Sequence, residues 1–179
     1  FVLSGLLKAV DPVGTALKIG QYLTPIFDVH GPKGEVSTLA LSFILCGSEF
    51  LLGAFLLMGV YRKLCARLSL LFMLVMTAVS LYSVLAHPVS DCGCFGDAIR
   101  LTPLETFLKN LILLPLSILV LRDARALRHL YSRRERWVPA ILAVVGIIYF
   151  MVNNYRHLPY RDFRPYSIGT DLRRAIVQE

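Results

Sequence analysis

The sequence has 179 residues, 56% of them hydrophobic and only 17% charged, with a formal net charge of +7. An ordinary soluble domain carries about 25% charged residues, so this composition argues against the soluble classes. The positive charge gathers in turns between apolar runs, without the aromatic-interleaved groove or known module of a nucleic-acid binder; it reports membrane topology and no nucleic-acid partner.

The apolar runs approach the ~20 residues that cross ~30 Å of hydrocarbon, which predicts an all-α integral membrane protein in contact with the lipid bilayer. The first run, FVLSGLLKAV, covers only ~15 Å of helix at 1.5 Å per residue. It is read as a truncated first span or the tail of a longer one, and a signal peptide is disfavoured because no small-residue cleavage pattern precedes KAVDP. Asp11-Pro12 and Gly31-Pro32 then bound a segment in which Val13, Ala16, Leu17, Leu23 and Phe27 recur at helical spacing, with Lys18 and Gln21 off that stripe. This reads as a short helix lying on the membrane surface. Further spans are expected at 39–60, 68–86, 104–121 and 137–152, with Trp137, Tyr149 and Tyr155 as interface anchors and a kink at Pro115.

Arg62, Lys63 and Arg67 follow the second span, and Arg122, Arg125, Arg128, Arg133, Arg134 and Arg136 follow the fourth, whereas the connection with Asp91, Asp97 and Arg100 is nearly neutral. The positive-inside rule then puts the N-terminus and the basic connections in the cytoplasm and the neutral connection outside, in the periplasm of a bacterial host. The expected division is a four-helix membrane domain over 1–122, a basic cytoplasmic loop over 123–136, a fifth transmembrane helix over 137–153 and a polar periplasmic tail over 154–179. The tail is mildly basic, a small counter-signal, and its Pro159, Pro165 and Gly169 favour irregular structure.

The outward connection contains DCGCFGD, residues 91–97. Thiol exchange needs a thiolate near ambient pH, an accessible sulfur and a second sulfur at bonding distance. Gly93 lets Cys92 and Cys94 bend toward each other, and the small ring so formed is strained, which makes its disulfide labile or oxidising rather than a structural staple. Just downstream, TPLE (102–105) has the form of a capping box with Pro103 at the first helical position. A helix starting there favours thiolate through its dipole, while Asp91 and Asp97 oppose it. Two other readings stand beside redox chemistry. In one the cysteines simply fix the turn; in the other they join His87 or Asp91 in a metal site, although no second ligand pair stands at the usual spacing.

SGLLKAVDPVGTALKIGQYL, CGSEFLLGAFLLMGVYRKLCA and HPVSDCGCFGDAIRLTPLETFLKN together resemble the DoxX/MauE group of bacterial inner-membrane proteins, in the branch with a Cys-Gly-Cys-Phe-Gly loop, over residues 1–122. The resemblance implies a four-helix up-and-down transmembrane bundle, distantly similar to disulfide-generating membrane enzymes. Its members are associated with maturation of a disulfide-rich periplasmic dehydrogenase or with quinone-linked sulfur or thiol oxidation. The fifth span and polar tail depart from the core pattern, and the chain lacks the C-x-x-C pair usual in the better-understood disulfide-generating enzymes. The expected function is a membrane thiol–disulfide redox protein in which Cys92 and Cys94 exchange disulfides or electrons with a periplasmic partner such as a thioredoxin-like domain, with a quinone as cofactor. The rival is a non-catalytic membrane subunit or scaffold that docks a partner protein. A transporter is weaker, since intramembrane charges are few and no inverted repeat is visible.

Glu49 lies ten residues into the second span, and Lys109 one to two turns into the fourth, ahead of Asn110. An ionised side chain at such depth costs at least ~2.5 kcal/mol on insertion scales, so it pairs or lines a cavity. Both are expected in the outer half of the bilayer, with Glu49 paired to Lys109, or to Lys8 of the first helix, beneath the cysteine loop. A clamp on bundle register is the first reading of such a pair, and a proton relay or quinone-headgroup contact the second; Lys109 could also snorkel to water. Cys46, almost one turn before Glu49, reads as a packing residue with a redox role as its alternative. Cys65 has no assigned role, and His30 and His87 read as solvated loop residues. Gly47, Ser48, Gly53, Ser80 and Ser83 suit close helix packing.

Overall fold

An apolar run in hydrocarbon can satisfy its backbone only within itself, and the long runs of this chain are accordingly helical. The computed structural model describes residues 1–24, 31–86, 101–124 and 135–157. They form α1 (Val2–Val10), α2 (Pro12–Leu23), α3 (Pro32–Met58), α4 (Arg62–Ala86), α5 (Pro103–Arg122) and α6 (Trp137–Arg156), with no strand among the described residues. The last four helices are each long and apolar enough to cross a membrane, so the chain is an all-helical, multi-pass membrane protein. Its outer faces carry Ile44, Leu71, Ile112 and Leu142, all largely exposed, as lipid contact requires.

Two helices begin earlier than hydropathy suggests. Pro32 at the first turn and Glu35 near the positive dipole end start α3 in polar sequence, well before residue 39. The good helix formers of RKLCARL carry α4 back to Arg62. Between them Gly59 turns left-handed (φ 68°), and its N–H and that of Val60 return to the carbonyls of Leu56 and Phe55 at 3.2 and 2.9 Å. α5 starts on the expected capping box: Thr102 Oγ1 accepts from the Glu105 N–H at 3.3 Å, and Glu105 Oε2 accepts from the Thr102 N–H at 2.9 Å. The helix continues unbroken through Pro115.

The segment expected on the membrane surface takes a different course. Pro12 has no N–H to extend α1, and Asp11 caps α2 by accepting from the Gly14 N–H at 2.9 Å. α1 and α2 thereby form one interrupted rod that runs antiparallel along α3. Gly53 stands against Val2 and Gly5 against Phe50; Ser42 Oγ donates to the Pro12 carbonyl at 2.7 Å, and Gly20 faces Thr38. The physical reason is the small buried stripe of Gly14, Thr15 and Ala16, which admits close packing on a neighbouring helix.

α6 packs on α1, α2 and α3. Its Ile147 and Met151 are buried with Ala9 and Cys46, and Asn154 Nδ2 donates to the Ala9 carbonyl at 3.1 Å. Ala9 lies in the last turn of α1, where carbonyls have no helical N–H ahead of them, so the α6 amide serves the break. Arg136, at the start of α6, lies 4.8 Å from the Tyr61 ring centroid and ties that helix to the α3–α4 turn. Replacing Asn154 with Leu is expected to cost about 1 kcal/mol, read as a lower thermal midpoint in detergent, whereas Leu at the neighbouring exposed Asn153 should leave it unchanged.

α5 packs on α4, the two forming an antiparallel hairpin. Asn110 Nδ2 donates across it to Ser80 Oγ and to the Met76 carbonyl, both at 3.2 Å, and Ser83 donates to the Tyr22 hydroxyl at 3.2 Å. Two of the serines expected only to permit close packing thus also bond across helices.

Candidate functional site

Glu49 is on the face of α3 that receives α1. Gly5 lets the α1 backbone approach Phe50 closely, and Lys8, three residues along α1, shares Gly5's face. Its ammonium therefore meets the carboxylate: Lys8 Nζ donates to Glu49 Oε2 at 2.6 Å, with side chains only 4% and 7% exposed. Of the two lysines considered for Glu49, Lys8 makes this bond.

The pair lines a cavity of about 430 Å³ between α1, α3, α4 and α5. Leu56, Phe72, Met73, Leu113 and Leu116 form apolar walls, and Lys109, half-buried, joins Lys8 and Glu49 at the polar side together with Asn110. Because α3 begins at Pro32, Glu49 stands nearer to Met58 than to the helix start. The cysteine loop, beneath which the pair is expected, lies outside the described residues.

A further polar group of this cavity escaped the sequence. Ser69 Oγ is buried and makes no hydrogen bond among the described residues. Serine in an apolar helix ordinarily bonds a carbonyl three or four residues back, as Ser117 does to Leu114 at 2.6 Å, so nothing in the local pattern singles out Ser69.

Cys46 is fully buried against Ala9, Ile147 and Met151, with Ser42 Oγ 3.9 Å from its sulfur. Cys65 is buried too, its sulfur 3.6 Å from the Val60 carbonyl. Both thiols are unbridged, and these surroundings are those of packing residues. Asp91, Cys92 and Cys94, with His30 and His87, lie outside the described residues.

The rods, seams and cavity define a multi-pass helical membrane protein with an ion pair inside its bundle. The chain belongs to the methylamine utilisation protein MauE family, whose family model matches residues 1–123 and so takes in α1 to α5. It is thus a membrane protein of a family involved in methylamine utilisation. α6, which completes the packing around Ala9 and Cys46, follows the matched region. Comparison with curated proteins and with solved structures gives no match.

Proposed function

We propose that the protein is a thiol–disulfide redox protein of the inner membrane, in which Cys92 and Cys94 exchange disulfides with a periplasmic partner such as a thioredoxin-like domain. The observation that carries this reading is the distribution of the four cysteines. Cys46 and Cys65 are packed inside helices, whereas Cys92 and Cys94 stand one residue apart in the connection between α4 and α5. Membership of a methylamine-utilisation family and the positive-inside pattern support a role outside the cytoplasm.

The exchange balances without a further reactant. A partner thiolate attacks one sulfur of the Cys92–Cys94 disulfide, and the other sulfur leaves as thiolate and takes up a proton. The partner's second thiolate then resolves the mixed disulfide, leaving the partner oxidised and both cysteines reduced. A quinone is the electron carrier that the resemblance implies. The cavity has room for its ring. No step of the exchange is routed through it.

Cys92→Ser and Cys94→Ser variants test the reading in native membranes. One of them is expected to accumulate a partner as a mixed disulfide, seen as a reductant-sensitive band on a non-reducing gel. Absence of any adduct from both, together with a pair inert to oxidants by alkylation, sinks the redox reading. Full biological function in the double serine variant favours the scaffold.

A further inference from the structure

We infer that the cavity between α1, α3, α4 and α5 binds a neutral single-chain alcohol, a lipid whose hydroxyl head is held by Ser69 and Ser117 and whose chain leads out into the bilayer. This goes beyond the thiol chemistry and does not depend on it.

Hydrogen bonding is the first argument. Ser69 Oγ is on the cavity lining, only 2% exposed, and makes no hydrogen bond among the described residues. A buried polar group costs free energy until something pairs with it. The helix register brings Ser117 to its level. Asn110 of α5 bonds the Met76 carbonyl and Ser80 of α4, and the hairpin is antiparallel, so Ser117, seven residues further along α5, faces 69–73, seven residues back along α4. Ser117 also lines the cavity, and its hydrogen is spent on the Leu114 carbonyl at 2.6 Å. Ser69 thus offers a donor and Ser117 an acceptor oxygen. An alcohol answers both, since its oxygen accepts and its hydrogen donates, whereas an ether, an ester or a quinone carbonyl answers Ser69 alone.

Charge is the second. Lys8 and Glu49 neutralise each other at 2.6 Å, and Lys109 also has an interaction within the protein. Two serine hydroxyls bring no counter-charge to an ionic head, and an unpaired charge away from water is costly. The head is therefore neutral.

Access is the third. Leu3 of α1 and Leu116 of α5 line the cavity yet remain 63% and 50% exposed, and α1 and α5 form no substantial seam among the described residues. The cavity opens to lipid between them, and the chain passes out there. Ser69 and Ser117 stand seven and five residues inside the helix ends at Arg62 and Arg122, about 10 Å of helix, a depth at which a small uncharged head rests below a basic interface. The volume of about 430 Å³ falls within the roughly 300–1,000 Å³ typical of small-molecule sites.

The test titrates the full chain, in nanodiscs of neutral phosphatidylcholine, with tritiated hexadecanol, subtracting uptake by empty nanodiscs. Saturable binding is expected at about one per chain, with hexadecyl methyl ether, decylubiquinone and hexadecanoate each competing about tenfold less well. Ser69→Ala should weaken both hexadecanol and the ether about tenfold. Ser117→Ala should weaken hexadecanol by a similar factor and leave the ether unchanged, a split that loosened packing would not produce. Thermal unfolding of both variants confirms that they are folded. No saturable binding overturns the proposal. So does any of the three competitors matching hexadecanol, or a Ser117→Ala variant in which hexadecanol and the ether change alike.

Discussion

Replacing Glu49 with Gln is expected to lower the thermal unfolding midpoint in detergent by roughly 10 °C, the largest effect of any single substitution considered for this protein. Gln keeps the shape of the side chain and removes only its charge. Lys8 would remain 3% exposed, its ammonium facing a neutral amide in place of the carboxylate whose oxygen now lies at 2.6 Å. Breaking one member of a buried pair costs about 3–5 kcal/mol, and a chain of this size shifts by about 2–4 °C per kcal/mol. The converse is equally specific. Lys8→Met combined with Glu49→Leu removes both charges together and should recover most of the loss, because apolar replacement of a whole buried pair is often neutral or stabilising. A midpoint for Glu49→Gln within about 2 °C of the parent would show that the pair does not clamp α1 to α3.

Adding one methyl group at Gly5 should be almost as damaging. A Cβ there would lie 2.5 Å from the Phe50 nitrogen and 2.8 Å from its Cα, contacts with α3 backbone that no rotamer change can relieve. α1 must then move away from α3, which also draws Lys8 off Glu49. We expect Gly5→Ala to cost about 3 kcal/mol, at the upper end of ordinary overpacking. Gly53→Ala, whose Cβ would meet the Val2 nitrogen at 2.6 Å, should do likewise, and the two losses should not add, since either one opens the same seam. Gly146 supplies the control: it is exposed on α6, nothing lies within 4 Å of a Cβ built there, and Ala should be neutral or stabilising by up to about 1 kcal/mol. Size-exclusion profiles and thermal unfolding of the three variants check the ranking.

Much of the fold was legible in the chain because a membrane span must be long, apolar and helical all at once. The capping box at Thr102–Glu105 was equally legible, since its two reciprocal hydrogen bonds are made within four consecutive residues. Helix starts were less so: Pro32 and Arg62 begin helices in polar sequence that a hydropathy window leaves out. The Asp11-Pro12 break was visible as a breaker, but whether the chain beyond it turned onto a surface or continued beside α3 depended on a small-residue face finding a partner.

By itself the sequence determined the membrane class, the helical runs, the presence of charged groups that had to be matched, and the closeness of Cys92 and Cys94 along one connection, because each follows from composition or from neighbours along the chain. Only the tertiary structure decided which lysine reaches Glu49, that Lys109 shares its cavity, that Ser69 is buried there with no hydrogen-bond partner among the described residues, and that Asn154 of α6 serves the break after Ala9. These are contacts between helices far apart in sequence. In lipid they are selected by how closely small residues let backbones approach, a property of two faces meeting and not of either face alone.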